Sequence, residues 1–301
     1  MNTMLVSPAP HTHDKITTQR IMLDVIIALT PALAMAYWAF GSRTLLVTGV
    51  CVISCVFFEW AFQKLTKKKC TIKDLSAVLT GILLAYCLPV NIPIWQAIFG
   101  CLVAIVLVKQ LFGGLGKNFA NPAVTARIVM YLAFPLTMIT WKLPFDPISG
   151  TNDFLPEIMD LFLGLDGCSV TIGDASAAAL VLGGLYLLIR RVITWHAPVA
   201  FIGTVFALTA AFGAYPVHQI LYGGLFLAAI FMATDYTTTP LTNSGRFIFG
   251  LGAGLIAVLI RLYGNFPEGA AYGILFMNML VPYINKFTAK KALGQSGGSQ
   301  A

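Results

Sequence analysis

Long apolar stretches alternate with short polar clusters along nearly the whole chain, a period set by neither a strand nor an amphipathic helix. A helix crossing a hydrocarbon layer of about 30 Å needs roughly 20 mostly apolar residues at 1.5 Å rise each. Ten stretches come near that length, at residues 21–40, 44–63, 74–89, 93–112, 122–141, 175–190, 197–215, 218–234, 246–263 and 268–285. The pattern predicts an all-α polytopic membrane protein of about ten transmembrane helices. Residues 1–20 contain Asp14, Lys15 and Arg20, too polar for a signal peptide, and read as a cytoplasmic N-terminal segment. A first five-helix unit at 21–141, a loop at 142–174, a second unit at 175–285 and a cytoplasmic tail at 286–301 follow.

Composition supports a membrane chain, since 58% hydrophobic and 10% charged residues leave too little polar surface to cover a soluble globule. The formal net charge of +7 does not indicate a nucleic-acid partner, because the basic residues sit in clusters between apolar runs. With both termini cytoplasmic, all of the 19 Lys and Arg except Arg43, Lys142 and Arg261 fall on the inner side, as the positive-inside rule requires. The loop at 142–174 is then external. It holds Asp146, Asp153, Glu157, Asp160, Asp166 and Asp174, half of the acids in the chain. The six cysteines form no CxxC and no paired His spacing, so they read as small core hydrophobes.

Five spans per half place the second half upside down relative to the first, the architecture of inverted-repeat transporters. The third and eighth spans correspond, and both are broken: Cys87-Leu88-Pro89 ends one early, and Asp235-Tyr236-Thr237-Thr238-Thr239-Pro240 interrupts the other. Irregular backbone at membrane depth survives only where it is buried in protein or lines a cavity. Asp235 is therefore a candidate for an ion path, or for a satisfied helix-break network. Asp24, four residues after Arg20, and Glu59, adjoining Trp60, read as paired or snorkelling groups at the interface.

The segment Gly113-Gly114-Leu115-Gly116-Lys117-Asn118-Phe119-Ala120-Asn121-Pro122 lacks the spacing of a phosphate-binding P-loop. Its carboxamides Asn118 and Asn121 could hold a planar heterocycle by its polar edge, or merely cap the helix opened by Pro122. Gly250, Gly252 and Gly254 follow no strand, so they indicate close helix packing and not a dinucleotide fingerprint. Arg261 and Glu268 flank a tight turn across which they could pair.

Several of these segments, in this order, resemble the D subunit of the Rnf ion-translocating electron-transport complex, homologous to the B subunit of the sodium-pumping NADH:quinone oxidoreductase. The carriers are Val6 to His11, Met22 to Leu29, Gly113 to Ala123, Phe231 to Asp235, and Gly264 to Gly269 leading to Asn278. The resemblance implies a bacterial inner-membrane subunit that works with the other Rnf subunits (A, B, C, E and G). It would couple ferredoxin and NAD redox chemistry to movement of Na+ or H+, and would not be active alone. It also implies FMN esterified to a threonine of the external loop, and a second, noncovalent flavin such as riboflavin held by the paired asparagines, here Asn118 and Asn121. The acceptor motif of the family maps to Ser149-Gly150-Thr151-Asn152, with Thr151 where alanine is usual and Asn152 where threonine is usual. A phosphoester needs a hydroxyl, so Thr151 is the candidate acceptor, and the alternative is a member without the covalent site. Without the resemblance, the broken helices alone suggest an independent transporter of a small solute or a structural anchor. Neither of these predicts bound flavin.

Overall fold

The computed structural model describes residues 17–68, 70–139, 158–164, 171–221, 223–264 and 269–289, which are helical with short connections and, among themselves, no strand. The helices in chain order are α1 (Thr18–Phe40), α2 (Ser42–Leu65), α3 (Ser76–Tyr86), α4 (Ile94–Leu102), α5 (Pro122–Ala133), α6 (Pro135–Ile139) and α7 (Ile158–Leu163). After these come α8 (Ala177–Ile189), α9 (His196–Ala211), α10 (Pro216–Leu221), α11 (Leu225–Leu227), α12 (Asn243–Tyr263) and α13 (Gly269–Thr288). Two of them run on as π-helix, α4 through Val103–Gln110 and α11 through Ala228–Met232.

Side chains at the helix starts explain several boundaries. Thr17, Asn121, Ser176 and Thr242 cap α1, α5, α8 and α12 by accepting from backbone N–H groups of the first turn. Gly41, at φ 77°, turns α1 directly into α2. Among the described residues three helices, α1, α2 and α12, are long and apolar enough to cross a membrane by themselves. The remaining apolar helices are shorter, and two expected spans are interrupted. The stretch at 122–141 stops at Phe134 because Pro135 disfavours helical backbone in the residue before it. The stretch at 218–234 is cut at Gly223 and Gly224, both at positive φ, and again after Met232.

Glycines set the closest crossings. A Cβ at Gly81 would lie 2.8 Å from the Val52 Cα, and one at Gly250 would lie 2.5 Å from the Ala197 carbonyl oxygen. Gly254 faces Thr204 and Gly252 faces Met277, so the triplet holds α12 against α9 and α13, as its small residues predict. Cys51, Cys55, Cys87 and Cys101 are buried in this core. Large apolar residues such as Ile53 and Leu182 face outward, the expected surface of a chain solvated by lipid.

Asp24 and Glu59 are both paired, one of the two readings expected of them, each with a partner distant in sequence. Asp24 pairs not with Arg20 but with Arg190 at the end of α8, at 3.2 Å, and accepts from the Tyr186 hydroxyl at 3.1 Å. Glu59 does not snorkel. It is fully buried and paired with Lys109 at 2.9 Å. Arg261 donates to the carbonyls of Gln219 and Gly223, bracing the turn before α11, while Glu268 lies outside the described residues.

A polar cavity between the two halves

The N-terminus of α5 is built by its own sequence. Pro122 takes the first helical position, where a missing N–H costs nothing. The Asn121 Oδ1 accepts from the N–H groups of Ala123 and Val124 at 3.0 and 3.3 Å. The capping role expected for one of the two asparagines therefore belongs to Asn121. Its Nδ2 points away from the cap, toward the Asp235 carboxylate 3.4 Å away.

Asp235 sits where α11 and its π extension give way to turns. Its Oδ1 accepts from the Thr237 N–H at 3.2 Å, and its Oδ2 from the Thr237 and Thr238 hydroxyls at 3.0 and 3.3 Å. Asn278 of α13 closes the cluster. With its amide oriented to satisfy both ends, it donates to the Thr238 carbonyl and accepts from the Asn121 N–H, each at 3.1 Å. Three elements distant in sequence thus share one polar node. The carboxylate keeps its cost low by collecting donors, as buried charges must.

Asn118, Asn121 and Asp235 line one cavity together with Lys109, Ser76, Tyr236 and a wall of apolar side chains that includes Leu79, Leu83 and Phe231. Asn118 is 9% exposed, and its Oδ1 is buried without a hydrogen-bond partner among the described residues. An unmade hydrogen bond in such a place costs about 1 to 3 kcal/mol unless a ligand or water completes it. The cavity is partly open and has an interior volume of about 80 Å³, room for several waters but small for a three-ring heterocycle. Leu115, in a largely exposed segment with Gly113, Gly114 and Gly116 at positive φ, and the half-exposed Tyr236 also line it.

Sequence reasoning treats the asparagine pair and Asp235 as separate sites, and the structure brings them together. It misses Asn278 as a member of the node and Lys109 as a wall of the same cavity. Only the Asn278 segment carries a signal, by resemblance alone. Thr151 lies outside the described residues, and no cluster of three or more His, Cys, Asp or Glu suited to a metal occurs among those described.

A model of the NQR2, RnfD, RnfE family matches residues 5–294, which includes every element of the cavity. The chain belongs to the NQR2, RnfD, RnfE family. Curated relatives in that family match over nearly their whole length. The chain is 43% identical to the D subunit of the Na(+)-translocating ferredoxin:NAD(+) oxidoreductase complex of Acetobacterium woodii, covering 97% of this chain and 95% of the relative. It is 38% identical to the proton-translocating counterpart from Clostridium ljungdahlii, with 97% of each chain covered. The D subunit of the ion-translocating oxidoreductase complex of Escherichia coli strain SE11 is 33% identical, covering 97% and 99%.

Proposed function

We propose that this chain is the membrane-embedded D subunit of an ion-translocating ferredoxin:NAD+ oxidoreductase complex, acting with partner subunits and not alone. Full-length similarity to two such subunits, named for different ions, and to the D subunit of an ion-translocating oxidoreductase complex supports this reading. Ten spans in two inverted five-helix units, with both termini cytoplasmic, would accommodate the broken third and eighth segments. Both of these half-helices start from a left-handed residue, Leu75 at φ 63° and Gly224 at φ 70°. Arg43 at the start of α2 donates to the carbonyls of Val90 and Ile92, just past the end of α3, the contact expected of two consecutive segments that run antiparallel.

The cavity is read as the site of a noncovalent flavin, and the observation that carries this is the unsatisfied Asn118 Oδ1 beside the Asn121–Asp235 pair. The polar edge of an isoalloxazine carries both donors and acceptors, and this wall presents both, with apolar side chains opposite. Bound there, a flavin would supply exchange of one or two electrons. The protein's part is to hold the polar edge through Asn118 and Asn121 and to keep Asp235 anchored by its threonines. It also places that carboxylate where an ion path could run. The external loop is proposed to carry a second flavin, FMN esterified to Thr151. The test is flavin analysis of the purified complex. Acid-extractable flavin together with a fluorescent denatured band for this chain is expected, and the band should go dark in Thr151→Val. A complex with neither kind of flavin would overturn the reading.

A further inference from the structure

One wall of the cavity is an ammonium group connected to the protein exterior by hydrogen bonds. Lys109 Nζ donates to Glu59 Oε2 at 2.9 Å and to Ser76 Oγ at 2.5 Å. The Ser76 hydroxyl in turn donates to Asp74 Oδ1 at 2.6 Å. Lys109 is 1% exposed and Ser76 3%, whereas Asp74, on the single 3-10 turn before α3, is only partly buried. Lys109 and Ser76 both line the cavity that holds Asn118, Asn121 and Asp235. A chain of three polar side chains therefore runs from the surface at Asp74 to the cavity wall at Lys109.

From this geometry we infer that Asp74, Ser76 and Lys109 form a proton relay serving the cavity. The inference rests on the flavin reading above, because it needs a group in the cavity that takes up and gives back protons. Inward, the Lys109 ammonium gives one proton to the occupant, and the nitrogen lone pair takes the Ser76 hydroxyl proton. The Ser76 oxygen takes the proton of the Asp74 carboxyl, which is restored from cytoplasmic water. One proton crosses and no electron moves. Outward transfer is the same sequence reversed, and the hydroxyl needs only to rotate, as hydroxyls do.

Glu59 does not depend on the lysine alone for its hydrogen bonds. Besides Lys109, its carboxylate accepts from Gln110 Nε2 at 2.8 Å, Gln63 Nε2 at 3.2 Å and Thr71 Oγ1 at 3.3 Å. When Lys109 releases its proton, three donors still hold the buried charge. The charged groups facing Lys109 are Glu59 from α2 and, through Ser76, Asp74, with Asp235 across the cavity.

The test uses the whole purified complex and follows flavin bleaching by sodium dithionite in H2O and D2O. Variants are Ser76→Ala, Asp74→Asn and the double. Asp74 Oδ1 also accepts from the Ser76 N–H at 2.9 Å, and both single variants leave that cap in place. Each single variant should keep its extractable flavin and midpoint potential, bleach roughly tenfold more slowly and show a larger solvent isotope effect. The double variant should be no slower than either single one, since both interrupt the same route. Full flavin with unchanged bleaching in either variant, or additive slowing in the double, would overturn the relay while leaving the flavin reading intact. A parent complex devoid of extractable flavin would overturn both.

Discussion

Asn121 and Asp235, separated by 114 positions, meet at 3.4 Å, so the cap of one helix and the break of another form a single structure. Whatever enters the cavity meets both at once. Displacement of Asn121 would alter the start of α5 as well as the surroundings of the carboxylate.

That double role divides the asparagine variants. Asn118→Leu removes an unpartnered carbonyl oxygen and should lose extractable flavin with little change in thermal stability of the complex. Asn121→Ala also removes the cap, costing about 1 kcal/mol in addition. Asn121→Ser, which can still cap, should regain stability without regaining flavin. Flavin analysis beside a melting curve separates the effects, and undiminished flavin in Asn118→Leu would leave only the capping role.

Asp235→Asn keeps the shape of the node and removes its charge. Ion uptake into vesicles driven by the complex is expected to fall by about tenfold or more while assembly persists. Normal uptake would reduce Asp235 to a helix-break residue tied down by Thr237 and Thr238.

The Glu59–Lys109 pair should respond in the manner of buried charges. Glu59→Ala leaves an ammonium without its anion and is expected to destabilise the chain by about 3 to 5 kcal/mol, whereas Glu59→Leu combined with Lys109→Met should recover much of the loss. Thermal unfolding in detergent reads both. Equal damage in the single and double variants would contradict the pairing.

Gly250→Leu drives a side chain into the Ala197 carbonyl at the α9–α12 crossing. The expected cost is about 1 to 3 kcal/mol, visible as a lowered melting temperature. Gly203→Leu, whose Cβ meets nothing within 4 Å, serves as the control and should be nearly silent.

Local features were the ones the sequence disclosed. Apolar runs revealed α1, α2 and α12, and Asn121-Pro122 announced a helix start, because such signals lie within one or two turns of chain. Pairings across the fold were hidden. Lys109 and Glu59 stand 50 residues apart, and nothing near either names the other. Asp24 had a basic residue four positions away and still chose Arg190, since tertiary packing of α1 on α8 outweighs a weak pair along one helix. The interruption at Phe134 was legible in Pro135, yet hydropathy carried the expected span across it. The π-helical stretches left no trace, as their residues are ordinary helix formers.

Those stretches make the length of the chain itself informative. In a π turn the N–H bonds five residues back, as Leu111 does to Val106 and Ala233 to Ala228, so each stretch accommodates surplus residues relative to an α-helix. Relaxation to α-geometry can absorb the loss of a surplus residue from Val103–Val108, whereas an inserted residue that the stretch does not absorb would swing the downstream residues by about 100°. Lys109 and Gln110 would then turn away from Glu59 without either having been changed. Between Pro93 and Pro122 the number of residues is under constraint as much as their kind, and a one-residue insertion there amounts to a substitution at the cavity wall.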